Sequence, residues 1–384
     1  MDYELVFESC KEKTLSGRYI TLGQIGPLLD RFDKDGKMAV AGKSVNGKPI
    51  YRCEAGSGKT RILMWSQMHG NESTTTKALF DFFNFLESDS AEAKAFLSYF
   101  TFCFLPMLNP DGAELYTRAN AAGIDLNRDA QDLSQPESIA LRETYLDFKP
   151  DYCYNLHDQR TIFGVADTGK PATVSFLAPS YNPSCEYNAT RLEAVRVINA
   201  MNRTLQQYIP GQVGRFDDAF NLNCVGDTFQ HLGTPTILFE AGHFSGDYQR
   251  ESTRKYLFFA LLSGLSAIYE NVIVGNEIED YMNIPQNNPC FFDFVYKNIK
   301  INYDSSEIIT NFAAQFREEL INNKIFFNAF VVKIGDLEGF YGHIVFDAQG
   351  EKYTDENDNI PKLDQKADFN LGKSVKIVNG SVRN

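Results

Sequence analysis

His69 and Glu72 stand three residues apart in His69-Gly70-Asn71-Glu72, immediately after the apolar run Ile62-Leu63-Met64-Trp65. That run reads as a buried strand, so the pair sits where a strand ends and a helix begins. An imidazole and a carboxylate offer nitrogen and oxygen to a borderline-soft ion such as Zn²⁺, and two ligands from one turn require a third from elsewhere. His157, in Tyr154-Asn155-Leu156-His157-Asp158 at the end of a second strand-like run, is the candidate. Two His and one Glu with an open fourth position describe a catalytic zinc site holding one ion. A lone His-x-x-Glu pair is common by chance, so the neighbouring motifs carry the decision.

Those motifs are Asn109-Pro110-Asp111-Gly112, then Arg118, then Gly123-Ile124-Asp125-Leu126-Asn127-Arg128. Further on, Thr236-Ile237-Leu238-Phe239-Glu240-Ala241-Gly242 is a short apolar strand delivering one carboxylate at its end. In this order the set resembles the zinc metallocarboxypeptidase family, the carboxypeptidase A-like enzymes, over roughly residues 40 to 270. The spacing from Asn109 to Arg118 resembles the compact bacterial members.

The resemblance implies a role for each residue. His69, Glu72 and His157 map onto the metal ligands, and the open position holds water whose pKa the ion lowers to about 7. Asp125 maps onto the carboxylate that accepts the first histidine's other N–H and fixes its ring. Glu240 matches the general base, which takes a proton from water and returns it to the leaving amine. Arg118 matches the guanidinium that polarises the scissile carbonyl. Asn127 and Arg128 match the pair that captures a terminal carboxylate, for which a guanidinium fork is suited and an ammonium is not.

One departure stands out. The family's digestive members carry a mobile tyrosine before the catalytic glutamate, yet residues 216–233 contain none. Tyr181, Tyr187 or Tyr248 could stand in, or the role is absent. The same stretch should line the pocket that reads the substrate side chain. Its Asp217, Asp218 and Asp227 would select a cationic group if they face inward, and describe a solvated loop if they do not. Asp227 is the substrate-binding candidate among them. His231 and His243 lie near the catalytic strand and read best as hydrogen-bonded structural histidines.

Composition bounds the rest. The chain has 384 residues and a formal net charge of −13, from 50 acidic against 37 basic residues, which disfavours nucleic acid or an anionic membrane as partner. Seven scattered cysteines with no Cys-x-x-Cys are not a disulfide framework. The charged N-terminus lacks a signal peptide's apolar core, and no stretch approaches a membrane span, so the expected setting is the cytoplasm. Gly56-Ser57-Gly58-Lys59-Thr60 mimics the end of a phosphate-binding loop. The position five before Gly58 is Cys53, and a strand follows, so it reads as a turn between strands.

Strand-like runs at 61–66, 100–107, 151–156, 174–178 and 235–239 alternate with helical patterns at 73–87, 136–148, 189–208 and 249–270. Ser73 to Thr76 suits a helix start. The expected fold is α/β: a mixed, mostly parallel sheet flanked by helices, with the site along the strands' carboxyl edge. Residues 1–274 form that domain in this reading. Residues 275–384 form a small β-rich one, joined through the breaker-rich segment 283–289 and interrupted by an amphipathic helix at about 305–322. Within it residues 351–366 read as an exposed loop and 375–378 as a last strand; His343 has no His-x-x-Glu partner there. The expected function is zinc-dependent removal of a C-terminal residue from a small peptide. The alternatives are deacylation of an N-acyl amino acid, as in the aspartoacylase and succinylglutamate desuccinylase group, and an inactive zinc-binding scaffold.

Overall fold

The run around Ile62–Trp65 has no polar face to give to water, and in the computed structural model of the chain it lies in the interior of an eight-stranded sheet. The structure describes residues 1–33, 36, 38–271, 277–356 and 358–383. The strands are β1 (Met38–Lys43), β2 (Pro49–Gly56), β3 (Thr60–Ser66), β4 (Phe100–Leu105), β5 (Tyr152–Asp158), β6 (Val174–Leu177), β7 (Val213–Arg215) and β8 (Thr236–Ala241). They lie in the order β1-β2-β4-β3-β5-β8-β6-β7. The central β4, β3, β5 and β8 run parallel, while β2 and β6 pair with them antiparallel.

The helices are α1 (Tyr3–Cys10), α2 (Leu22–Phe32), α3 (Thr74–Leu86), α4 (Ala91–Tyr99), α5 (Pro110–Leu115), α6 (Pro136–Phe148), α7 (Ala189–Leu205), α8 (Val225–His231), α9 (Glu251–Glu270) and α10 (Glu277–Met282). One core cluster joins the sheet to α1–α4, α7 and α9 through side chains such as Phe7, Leu29, Phe82, Phe96, Ile198 and Phe258. The other joins it to α6 and α8 through Leu63, Trp65, Cys153, Leu141, Val225 and Phe229. Each fully buried side chain of this size contributes about 1.5–3 kcal/mol before entropy is counted. No helix among the described residues is long and apolar enough to cross a membrane.

The chain divides into two compact units, Met1–Gln159 with Ala172–Asn287, and Arg160–Pro171 with Asn288–Asn384. The expected division between 274 and 275 falls within 272–276, outside the described residues. The segment 283–287 is packed rather than free. Ile284 is buried, the Pro285 carbonyl accepts from Arg215 N, and Asn287 Nδ2 donates to Gln159 Oε1 at 2.8 Å.

The second unit carries two four-stranded sheets. β9 (Phe291–Ile301), β10 (Ile308–Ile321), β11 (Lys324–Ile334) and β12 (Tyr341–Asp347) form one, ordered β11-β10-β9-β12. β13 (Tyr353–Thr354), β14 (Phe369–Leu371), β15 (Val375–Val378) and β16 (Ser381–Arg383) form the other. The helix expected at about 305–322 is therefore β10. Its Ala, Gln, Arg, Glu and Leu favour a helix in isolation, but pairing on both sides, with β9 and β11, overrides that preference. The overlooked signal is Asn322-Asn323, both at positive φ (50° and 60°), between the register partners Ile321 and Lys324. That is a two-residue hairpin turn. Tyr353 is likewise buried in the unit's core, within the stretch expected to be an exposed loop.

Candidate active site

β3 ends at Ser66, and the chain must turn sharply to aim His69 back over the sheet edge. Gln67 makes the turn in the left-handed region (φ 48°), a strained setting for a residue with a Cβ. Its buried side chain compensates, with Nε2 donating to the carbonyls of Ile20 (2.8 Å) and Gly70 (2.9 Å) and Oε1 accepting from Thr76 (3.0 Å). Gly70 then meets α5 backbone to backbone, where an added Cβ would lie 1.9 Å from the Gly112 carbonyl carbon. Asn109 caps α5 by accepting from Gly112 N at 2.8 Å and donates to the Met68 carbonyl at 3.2 Å. The two motifs, one around His69 and one around Asn109, are thus halves of one packed turn.

Three ligand atoms converge beyond it. His69 Nδ1 lies 2.8 Å from Glu72 Oε1, His157 Nδ1 lies 3.0 Å from Glu72 Oε2, and the two Nδ1 atoms are 3.1 Å apart. All three residues are buried, and their ligand atoms lie within 4.8 Å of one another. Two imidazole nitrogens turned toward each other across a carboxylate suit a shared cation better than shared protons. The donor set of two nitrogens and one oxygen fits zinc. His69 Nε2 contacts Asp125 Oδ1 at 2.9 Å, which fixes the ring with Nδ1 inward.

Electrostatics follow the packing. Burial alone would lower His69, but the carboxylates of Glu72 and Asp125 outweigh it and raise its pKa. At His157 burial wins and the pKa falls. Glu72 is held well below the usual carboxylate range, because the two imidazoles outweigh its burial. The Asp158 backbone N–H also donates to Glu72 Oε2, at 3.0 Å. Asp158 does a second task. Its carboxylate accepts from Thr74 N (3.0 Å) and Thr75 N (3.4 Å), so the start of α3 is capped from the end of β5, while the Ser73 side chain is spent on the Arg18 carbonyl.

Glu240 on β8 is the register partner of His157 on β5, which puts carboxylate and ligand side by side at the strands' carboxyl edge. Its Oε2 is buried with no hydrogen-bond partner. Burial, and then the charges of Glu72 and Asp158, push its pKa well above the ordinary range. Arg250 ties the same two strand ends together. It lies in the left-handed region (φ 59°) before α9 and is fully buried, donating to the carbonyls of Ala241 and Gln159. Sequence reasoning missed it because its partners are backbone atoms 9 and 91 residues away.

Arg118 reaches the ligands from a loop, its Nη1 3.2 Å from both Glu72 Oε1 and His69 Nδ1, and Asp125 Oδ2 anchors its Nε and Nη2 at 3.1 and 3.0 Å. Asn120 shapes that loop. Its Oδ1 accepts from Ala122 and Ile124, and its Nδ2 donates to Gln135 and Glu137. Asn127 Oδ1 accepts from Val225 N at 2.9 Å, which joins the Asp125–Arg128 turn to the start of α8. Arg128 is exposed, with Nη1 donating to the Asn127 carbonyl (2.7 Å) and Cys224 Sγ (3.2 Å).

The three aspartates do not form a common acidic wall. Asp218 is paired with buried Arg191 at 2.6 Å, and exposed Asp217 caps its own turn at Ala219 N. Asp227 is buried against the backbone of Asn221 and Ser180, and burial pushes it up to about 7. His231 Nδ1 contacts the Tyr181 carbonyl at 2.8 Å. Of the three tyrosines, Tyr181 donates to Glu186, Tyr187 covers Arg191, and Tyr248 packs at a tilt against His243 just beyond β8.

Residues 30–160, which hold His69, Glu72, the Asn109–Arg128 motifs and His157, match the family model for zinc carboxypeptidase. Over these residues, about a third of its length, the chain is similar to the zinc carboxypeptidase family. Zinc is that family's metal, and His69, Glu72 and His157 are the residues here able to hold it. Over 81 residues the sequence is 34% identical to cytosolic carboxypeptidase 2 of Macaca fascicularis and of Homo sapiens, which is 21% of this chain and 10% and 9% of those proteins. The match thus spans about a tenth of those relatives' length. The fold is similar to the metallo-carboxypeptidase from Burkholderia cenocepacia (TM-score 0.53, 17% identity, 65% of this chain and 69% of that one). It is similar also to the metallo-carboxypeptidase of Pseudomonas aeruginosa solved with (2-guanidinoethylmercapto)succinic acid (0.52, 19%, 65% and 68%). The family likeness falls on the first unit's motifs, where ligand, anchor and turn are all present.

Proposed function

We propose that the chain is a zinc-dependent hydrolase that removes the C-terminal residue of a small peptide with a free carboxylate. The carrying observation is the pairing of His157 with Glu240, which sets a carboxylate whose Oε2 is buried without a hydrogen-bond partner beside a three-residue metal-binding set. Zinc, when bound by His69, Glu72 and His157, lowers the pKa of water to about 7 and polarises a carbonyl. The protein's own groups do the rest. Glu240 Oε2 takes the proton of the attacking water and returns it to the leaving amine nitrogen. Burial raises its pKa, which makes it a stronger proton acceptor than an exposed carboxylate.

Arg118, kept in place by Asp125, donates from Nη1 to the oxygen that gains charge as the carbonyl is attacked. Asn127 Nδ2 and the exposed fork of Arg128 bind the substrate carboxylate, so the enzyme works from the end of a chain. A cytoplasmic setting belongs to the proposal, supported by the likeness to cytosolic carboxypeptidase 2 and by seven free cysteines. Nucleic acid is no part of it.

The test is product analysis by mass spectrometry for zinc-loaded protein and Glu240→Gln. The substrates are free and C-terminally amidated peptides and N-acyl amino acids. Loss of one C-terminal residue, from free-carboxylate peptides and with wild type alone, is the expected result. Turnover of N-acyl amino acids alone moves the reading to a deacylase, and no turnover with stoichiometric zinc moves it to a scaffold.

A further inference from the structure

The sheet row directly below His157 and Glu240 contains buried polar atoms that nothing in the fold uses. Asn155 precedes His157 by two residues on β5, and strand side chains alternate, so the two share a face. Asn155 is the register partner of Trp65 on β3 and of Leu238 on β8, and Leu238 pairs in turn with Leu177 on β6. Asn155 and Trp65 are fully buried, yet Asn155 Oδ1, Asn155 Nδ2 and Trp65 Nε1 have no hydrogen-bond partner. Each such group costs about 1–3 kcal/mol, and a leucine of similar shape would avoid the cost at Asn155.

At its other end the row is less deeply buried: Leu238 and Leu177 sit on interior strands but keep accessible surface. α8 packs on the row at Trp65, with the Phe229 ring centroid 5.5 Å from that of Trp65. Gly226 passes over Asn155, where a Cβ would come 3.8 Å from Nδ2 and 3.0 Å from Pro179 Cγ. The turn carrying Asn127 and Arg128 is bonded to the start of this same helix.

We propose that Asn155 and Trp65 read the side chain of the residue removed, and that this residue ends in a carboxamide, as glutamine and asparagine do. This rests on the exopeptidase reading above. Asn155 Nδ2 and Trp65 Nε1 bring three N–H donors, and Asn155 Oδ1 is an acceptor. A carboxamide matches both kinds, its carbonyl taking the donors and its NH₂ serving Oδ1. An ammonium or guanidinium has donors only, so it would face like groups and bury a charge. An aliphatic side chain would leave all three atoms unpaired. Leu238 and Leu177 supply the apolar walls for the methylenes.

The experiment compares blocked dipeptides ending in Gln, its near-isostere Met, and Lys. Wild type and Asn155→Leu are compared by turnover. Zinc-loaded Glu240→Gln, with and without Asn155→Leu, is compared by binding. Trp65 is the chain's only tryptophan, so its emission reports the pocket without turnover. The Gln peptide is expected to exceed the Met peptide about ten- to a hundredfold in kcat/KM and affinity, the scale of one unmet buried hydrogen bond. Asn155→Leu is expected to invert that order while keeping or raising the Tm. Equal use of Gln and Met, preference for Lys, or an unchanged order in Asn155→Leu overturns the proposal. Turnover without Gln preference sinks the pocket assignment alone; Gln-selective binding without turnover sinks the exopeptidase reading alone.

Discussion

Asp125→Asn isolates one atom of the site. Asp125 Oδ1 accepts from His69 Nε2 and from Asn127 N, both at 2.9 Å, and an asparagine oxygen can keep both. What goes is the charge, together with Oδ2, which now takes Arg118 Nε and Nη2 at 3.1 and 3.0 Å. An amide NH₂ there faces donors with donors and releases Arg118. Loss of a charged partner behind a ligating imidazole weakens metal binding about 10- to 100-fold. At free zinc set to 100 times the wild-type Kd, zinc stabilises the wild type by about 2.7 kcal/mol. The same relation leaves the variant about 1.4 kcal/mol for a tenfold loss and about 0.4 for a hundredfold loss. Thermal unfolding in zinc buffers, with and without chelator, reads this directly. The metal-free variant should unfold close to metal-free wild type, since both Oδ1 contacts survive. Wild-type zinc affinity in a folded Asp125→Asn would refute the reasoning that Asp125 sets the His69 ring for the metal.

Other outcomes follow from the same contacts. Glu240→Gln should lower kcat about 10²–10⁴-fold while zinc stoichiometry stays at one, because Glu240 is not among the converging ligands; loss of bound zinc would contradict this. Arg254 and Asp81 are both fully buried and doubly bonded, at 2.7 and 2.6 Å, so Arg254→Met should cost about 3–5 kcal/mol in urea unfolding. A cost under about 1 kcal/mol would show the charges to be relieved some other way. Acid should destabilise the fold through Glu12 and Glu251, each lowered from 4.5 to about 2. Burial opposes that shift, and it is outweighed at Glu12 by Arg31 and Thr14 and at Glu251 by Lys77 and Arg254. Since both folded values are depressed, their contribution is complete above about pH 4.5 and lost as pH falls toward 2. A Tm unchanged between pH 5 and 2.5 would contradict it.

The sequence by itself determined the elements whose cause is local. The apolar runs of β3, β4, β5 and β8 and the apolar face of α7 are visible because burial imposes a pattern on residue type. The order of His69, Glu72, Arg118, Asp125 and His157 was legible because a ligand or an anchor admits few residue types. Tertiary structure decided what depends on partners distant in the chain. β10 has the composition of a helix and became a strand because β9 and β11 hydrogen-bond to it on both sides. The acidic residues 217, 218 and 227 were alike in sequence, and only packing gave one to Arg191, one to its own turn and one to backbone amides. Asp158, Arg250 and Asn155 carry no motif of their own. Their parts come from a helix start, two strand ends and a row of side chains that adjoin one another only once the sheet has formed, because hydrogen-bond satisfaction belongs to neighbours in space.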